Sequence, residues 1–568
     1  MRHTRHIAMA MTLAASVLAG CSDDTVSPTD RQPVLAAISP DSGGVGTAID
    51  VLGKDFQPGA VVYFGATATV KVTFISGTHV RAYAPDGLVR GDVYPVKIRN
   101  ATSLSSAASS PFKAVAPELT VVNGASKPSG THGSTVIFEG RSFGDLVGKG
   151  AVYFTGAGSQ PVEAPVSLED NWTNEYVIAA VPADAETGPV WVETPTGTTA
   201  TIQFSIPEAA SFSPSEINWT ETTPLPVASQ GHGAHFLAIE DGPGKGNLVY
   251  VTGGADGTPT ARADVVVGEI DAGGHIVSWT PATPLFDERA FHATATATPR
   301  NALVDTSDAG YLYAVGGINS SGETQATVFV SAIGKDRSLA GWSPTSPLPV
   351  PLHSPGAAIL RSWLYVVGGS TTGDVPASTV YRARIESDGN LRAWEELASL
   401  PEGRSYAPLV QFAGHLYIFG GDTGISVPGS NTIPSSATKQ ILYQPIDLRT
   451  GGLKNGSWSV ASSALIKAAT KHSVIVAGGW LLASGGLYGG AANSATEHQY
   501  ASIDVEGSVR SFNGATGSQT IVGGAGGVPF YNHAAVTYVD DSGVAHVVII
   551  GGGNVLDATT PVANCYFY

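Results

Sequence analysis

Cysteine is almost absent, with only Cys21 and Cys565 in 568 residues. Cys21 closes an apolar leader, so no internal disulfide framework is expected, and Cys565 reads as a small apolar residue of a terminal strand. Charge is sparse as well. Charged residues make up 14% of the chain against a usual ~25%, which argues against long charged helices and coiled coils. Basic residues are the scarcer sign, 30 Lys+Arg against 47 Asp+Glu, for a net charge of -17, so nucleic acid is not an expected partner. Beyond the leader no stretch approaches eighteen uninterrupted apolar residues, and no membrane-spanning helix is expected. Glycine is abundant, at 69 residues, as suits short strands joined by tight turns. The length is about four times a typical ~150-residue domain, so several domains are expected.

Arg2 and Arg5 precede an apolar run from Ile7 to Leu18, followed by Ala19, Gly20 and Cys21. This is a secretory leader, too short to span a bilayer. The run Leu18-Ala19-Gly20-Cys21 resembles the lipobox of bacterial lipoproteins. The resemblance implies cleavage before Cys21, lipid attachment to that residue and, with Ser22 next, an outer-membrane address. Residues 1–20 are then the signal peptide. Residues 21–33, which are polar and contain proline, read as a tether. The lipid is the only membrane anchor expected.

Between residues 34 and 207 the chain repeats itself. Gly43, Gly46, Ile49, Val51, Gly53 and Phe56 recur as Gly130, Gly133, Val136, Phe138, Gly140 and Phe143, each displaced by 87. The alternation at Ile49/Val51 and Val136/Phe138 marks half-buried strands. The pattern resembles the IPT/TIG family of immunoglobulin-like domains and implies two β-sandwiches, residues 34–115 and 116–207. Gly140-Arg-Ser142-Phe-Gly144 also satisfies the G-x-S-x-G pattern of a hydrolase nucleophile. Its twin carries Asp55 at the matching position, so Ser142 is expected to occupy a turn.

From residue 212 to the end a longer unit recurs. Glycine pairs follow apolar strands at Gly253-Gly254, Gly316-Gly317, Gly368-Gly369, Gly420-Gly421, Gly485-Gly486 and Gly551-Gly552, with spacings of 63, 52, 52, 65 and 66. Trp219, Trp279, Trp342 and Trp394 each precede a leucine by six residues; Trp458 precedes Leu465 by seven, and Phe512 stands in the sixth unit. These features resemble the kelch repeat, whose units are four-stranded propeller blades. The fold expected is all-β: two immunoglobulin-like β-sandwiches followed by a six-bladed kelch-like β-propeller over residues 212–568. Because the last unit ends a strand short and Trp219 precedes the first glycine pair, the strand around Trp219 is expected to complete the last blade.

Histidines stand where innermost strands are expected to begin: His232, His292, His472 and His533, with His353 and Tyr406 one or two residues out of register. Together with Arg289 and Arg404 they are candidate ligand-binding residues at a channel mouth, since imidazole binds anions and metals and guanidinium grips carboxylates. Braced loop positions are the competing reading, and the histidine spacing matches no compact zinc site. No cofactor, metal or catalytic residue is assigned. The turns at Asp305–Asp308 and Asp540–Gly543 lack calcium-loop spacing. Gly242–Gly246 lacks the Ser or Thr and the helix of a phosphate loop.

A lipid-anchored stalk carrying a propeller suits display, so a cell-envelope protein binding a protein or carbohydrate partner at the propeller loops is expected. Alternatives are an enzyme resembling periplasmic sialic-acid mutarotases, which are also kelch propellers, and a structural envelope component. A copper-radical oxidase of the galactose-oxidase type would need a cysteine crosslinked to tyrosine, for which Cys565 is the sole candidate.

Overall fold

A computed structural model gives the structure of the chain. It describes residues 31–568 except 70, 102–104, 108, 123–127, 129, 131–134, 146–147, 165, 167–171, 207–216, 218, 240–241, 257–259, 299–301, 303, 305–306, 361, 413, 431–434, 448–450, 478–479, 489–497, 504–507, 511, 515–529, 540–544 and 555–556. The leader, Cys21 and nearly all of the tether therefore lie outside the described residues, as do Asp305, Asp540 and Asp541. No described helix is long and apolar enough to cross a membrane. The chain divides into two compact units, residues 1–206 and 207–568.

The first unit holds both sandwiches. In the first, a sheet of strands 34–39, 48–54, 79–83 and 72–76 faces a second sheet of strands 42–43, 110–114, 93–99, 61–64 and 67–68. Ile49, Val51, Val62, Phe64, Val96 and Phe112 meet between them. The second sandwich repeats the plan, with Val136, Phe138, Phe154 and Phe204 in its core and edge-to-face rings at Phe138–Phe154, 5.8 Å apart. The shared glycine has a steric cause. A Cβ on Gly53 would lie 1.9 Å from the Val34 carbonyl oxygen and 2.6 Å from the Phe56 ring. On Gly140 the same distances to the Glu118 carbonyl and Phe143 are 1.9 and 2.6 Å. Asp55 and Ser142 both adopt left-handed backbone, φ 58° and 64°. Ser142 is a buried turn residue with no strand-to-helix elbow around it.

What distinguishes the second copy is the insertion that begins at Asp145, and it joins the two sandwiches. The Asp145 carboxylate accepts the Ala48 N–H at 2.7 Å and the Asn174 N–H at 3.0 Å, while its own N–H donates to the Gly46 carbonyl at 2.8 Å. Asn174 Oδ1 in turn accepts from the Thr47 hydroxyl at 3.0 Å and the Gly144 N–H at 3.1 Å. Charged acceptors on backbone donors are the stronger hydrogen bonds. Asp145→Ala leaves two donors unpaired and is expected to destabilise this unit by about 1–3 kcal/mol. Differential scanning calorimetry of the full chain checks this: one transition should fall while the other stays in place.

The second unit is the six-bladed propeller. Blades 1 to 5 are antiparallel four-stranded sheets beginning at residues 233, 293, 356, 409 and 473. Blade 6 takes strands 534–539, 545–554 and 557–567 from the C-terminus and its outermost strand, 220–222, from the other end of the unit. Thr220 faces Phe567, Glu221 faces Tyr566 and Thr222 faces Cys565. The expected closure by the strand around Trp219 is present, and it leaves neither end as an unpaired edge.

The Trp–Leu spacing follows from contacts between blades. The indole N–H groups of Trp279, Trp342, Trp394 and Trp458 donate to the carbonyls of Thr223, Thr283, Ser346 and Ala398 at 2.9–3.2 Å, each four residues beyond the preceding unit's tryptophan. Leu225, Leu285, Leu348, Leu400 and Leu465 are buried beside them. A second set of ties runs from Tyr250, Tyr313 and Tyr365, whose hydroxyls donate to carbonyls at Arg337, Gly389 and Gly451 in the next blade's outer hairpin.

Candidate functional site

The glycine pairs position everything at the mouth of the axis. The first glycine of a pair has φ between 53° and 64°, and a Cβ on Gly253, Gly316, Gly368 or Gly420 would lie 2.3–2.5 Å from a carbonyl of the loop leading into the next blade. The second glycine donates its N–H to that same carbonyl: Gly254 to Arg289, Gly317 to Leu352, Gly369 to Arg404, Gly421 to Ala469 and Gly552 to Ser229, at 2.7–2.8 Å. Only glycine permits this close approach with left-handed backbone.

These loops end in a second circle. Gly231, Phe291, Ser354, Tyr406, Lys471 and Asn532 all have φ between 50° and 60°. The N–H of each donates to the carbonyl of its counterpart in the preceding blade, at 2.6–3.3 Å, and Gly231 closes the circuit onto Asn532. Five non-glycine residues in left-handed backbone are an unusual concentration, held here by the bonds on either side. The residue after each ring member is His232, His292, Pro355, Ala407, His472 and His533. Tyr406 is therefore itself a ring member, one residue before the histidine register, and His353 lies two before it.

The left-handed turn decides where the imidazoles go. His292 lies between Gly317 of its own blade, where a Cβ would stand 2.8 Å from His292 Cβ, and Gly253 of the preceding blade, where it would stand 3.1 Å from His292 Cε1. His232 sits in the same way between Gly254 and Gly551, and His472 between Gly486 and Gly420. His232 Nε2 meets the Ile550 carbonyl at 3.1 Å, and His292 Nε2 meets the Thr252 hydroxyl at 2.8 Å. Burial lowers the pKa of His232 to about 4 and that of His292, His472 and His533 to about 3. The four imidazoles are thus neutral wedges between blades at neutral pH. Among the described residues no cluster of His, Cys, Asp or Glu could hold a metal ion.

Arg289 and Arg404 line neither of the two cavities at the axis. Their carbonyls serve the glycine pairs, and their side chains, each 1% exposed, run toward the third strands of their blades. Arg289 donates to the Glu288 carbonyl, Asp287 and Thr327 and lies over the Phe329 ring at 5.0 Å. Arg404 reaches Gln440 and Glu402. Desolvation lowers the pKa of both, as expected of guanidinium groups used as internal braces.

Two cavities meet at the ring. The six ring residues, their following histidines and the starts of the inner strands line a cleft of about 260 Å³. On the loop side lies a larger hollow of about 680 Å³, formed by Gln230, Ala255, Phe291, Ile318 and the loops 322–325, 372–374 and 427–429. Four successive blades contribute. Phe291 belongs to both cavities, and its ring occupies the space that a Cβ on Gly231 would need, 2.6 Å away.

Of the polar groups beside this hollow, His353 and Tyr406 are sequence candidates, whereas Asp374, Asp422, Lys471 and Tyr531 escape sequence reasoning. His353 Nε2 meets Asp374 Oδ1 at 3.0 Å; burial nonetheless keeps the His353 pKa below its ordinary value. Lys471 Nζ donates to the carbonyls of Val427 and Ser430 at 3.1 and 2.7 Å and lies over the Tyr406 ring at 4.9 Å. Burial brings its pKa down to about 8. Asp422 accepts from Thr470 at 2.9 Å, and burial raises its pKa. Tyr531 donates to the Gly429 carbonyl at 2.8 Å. Lys471 and Tyr531, from blades 5 and 6, thus pin the blade 4 loop at the rim. The one available signal was position: Lys471 immediately precedes His472, as each ring residue precedes its register position.

Comparison with known proteins fits these parts. The IPT/TIG domain profile matches residues 33–114. The chain is similar to Kelch-like protein 9 of Mus musculus, 30% identical over 115 residues, covering 20% of this chain and 18% of that protein. Kelch-like protein 13 of Homo sapiens is 31% identical over 86 residues, 15% of this chain and 13% of its own length. The Kelch repeat and BTB domain-containing protein 1 of Camelpox virus (strain CMS) is 27% identical over 182 residues, 32% of this chain and 28% of that protein. The chain thus spans less than a third of the length of these relatives. Among solved structures it is similar to YjhT, at 15% identity and a TM-score of 0.41, covering 61% of this chain and 95% of that one.

Proposed function

We propose that this is a lipid-anchored cell-envelope protein whose propeller binds a protein partner in the hollow at the loop face. The observation that carries the reading is the hollow itself, about 680 Å³, built from loops of four blades and reached by the ring through Phe291. Binding sites are of this size and occur at such mouths. Loops on a rigid scaffold can vary without cost to the fold, which suits recognition. Turnover on a sugar acid has less support. Its expected groups, Arg289 and His292, are respectively outside the hollow and wedged neutral between blades.

A photo-reactive amino acid placed at Thr372 in the full chain tests the binding role in envelope preparations. The expected result is a discrete protein adduct, absent when the same group replaces the exposed Val277 on an outer strand. No adduct at Thr372, or equal adducts at both, would contradict the reading. The anchor is tested separately. Cys21→Ser is expected to abolish incorporation of labelled palmitate and release the protein from the membrane fraction; unchanged labelling would remove the lipid.

A further inference from the structure

We propose that the hollow receives a cationic side chain, a lysine or arginine of the partner protein; the inference rests on the binding role proposed above. The walls of the hollow differ in kind. Ala255, Phe291 and Ile318, from blades 1 and 2, make an apolar surface that suits an alkyl stem. The Phe291 ring adds a π system, which favours a cation over an anion. Glu323 and Asp374 supply carboxylates from the loops of blades 2 and 3. Asp374 holds left-handed backbone, φ 61°, and its side chain is oriented by His353 and 28% exposed.

A second observation is independent of those acids. Gln230, which lines the hollow, is 1% exposed, and its Oε1, beside Gly553, has no hydrogen-bond partner among the described residues. A buried acceptor without a donor costs free energy that a ligand N–H would recover. No Lys, Arg or His is among the residues lining the hollow. The nearby Lys471 spends its ammonium on the carbonyls of Val427 and Ser430. An anionic ligand would meet two carboxylates and an unpaired carbonyl, and the one ammonium near Asp374, that of Lys471, is already bonded to two loop carbonyls. A guanidinium or ammonium meets acceptors throughout, and the chain's net charge of -17 steers cations toward it.

The test measures binding of short fluorescent peptides to the full-length protein. A Gly-Arg-Gly peptide is compared with its neutral citrulline isostere, with a glutamate version and with free spermidine. The expected result is that the arginine peptide binds about tenfold more tightly than the citrulline peptide, as charge-assisted bonds imply. That preference should fall in Asp374→Asn and in Glu323→Gln, an exposed position where the glutamine oxygen still accepts from the Asn319 amide. Equal binding of arginine and citrulline peptides, tighter binding of glutamate, or a preference unchanged in Glu323→Gln would overturn the proposal. So would spermidine outcompeting every peptide, which assigns the hollow to free polyamines. If mouth adducts at Thr372 form while no arginine preference appears, the inference fails and the binding role stands; if neither appears, both fail.

Discussion

Lowering the pH from 7 to about 4.5 is expected to unfold the propeller in a steep transition. His232, His292, His472, His498 and His533 are buried, and burial holds their pKa values at about 4, 3, 3, 4 and 3. In the unfolded chain each returns to ~6.5. Below pH 6.5 the unfolded state therefore binds protons that the folded state refuses. The stabilising contribution is complete above ~6.5 and is lost as the pH falls toward 4. Each group withdraws about 1 kcal/mol per pH unit, so five acting together over two units match the ~5–15 kcal/mol stability of a typical domain. Tryptophan fluorescence against pH reads the transition. Replacing His472 and His533 by Gln should make it shallower, because fewer protons are taken up on unfolding. A melting temperature unchanged between pH 7 and 4.5 would show that the imidazoles are solvated or already charged.

Trp219→Ala is expected to cost about 3–5 kcal/mol, in the range of large aromatic deletions. The indole is 6% exposed, packs with Ile475, Leu482, Val547 and Tyr566, and donates to His498 Nε2 at 2.7 Å. It also anchors the three-residue strand whose last member, Thr222, bonds both ways with Ile276 of blade 1, at 3.1 and 2.7 Å. Losing the indole therefore weakens the hydrogen-bonded strand by which the N-terminal end of the propeller joins the last blade. Urea unfolding of the full chain should show the loss in one of its transitions. A cost below ~1 kcal/mol would mean that the ring holds without that strand.

The architecture was legible because its signals are local and repeated. The glycine pairs, the Trp–Leu spacing and the displaced terminal strand each follow from one contact made again in the next blade. The twin motif at Gly53 and Gly140 was legible for the same reason, a carbonyl 1.9 Å from an imagined Cβ. The direction of the histidines was not. It depends on left-handed backbone at Phe291, Lys471 and Asn532, one residue before His292, His472 and His533, which Phe and Lys rarely adopt and no local pattern announces. Arg289 and Arg404 could be placed on their loops but not aimed, since the neighbouring blade's glycine pair fixes which way their carbonyls face. The hollow was invisible because Gln230, Glu323 and Asp374 come from three different blades. Asp145 belongs to no motif, and its partners at Ala48 and Asn174 lie far away in the chain.

The account's central claim is that a closed circuit of backbone bonds ties the six blades together at the axis, beside the hollow that its member Phe291 lines. Hydrogen exchange of the amides of Gly231, Phe291, Ser354, Tyr406, Lys471 and Asn532 tests it most directly. The account predicts that all six exchange only with global unfolding, alongside the core strands. Rapid exchange at two or more successive members would contradict it, because the circuit would then be open.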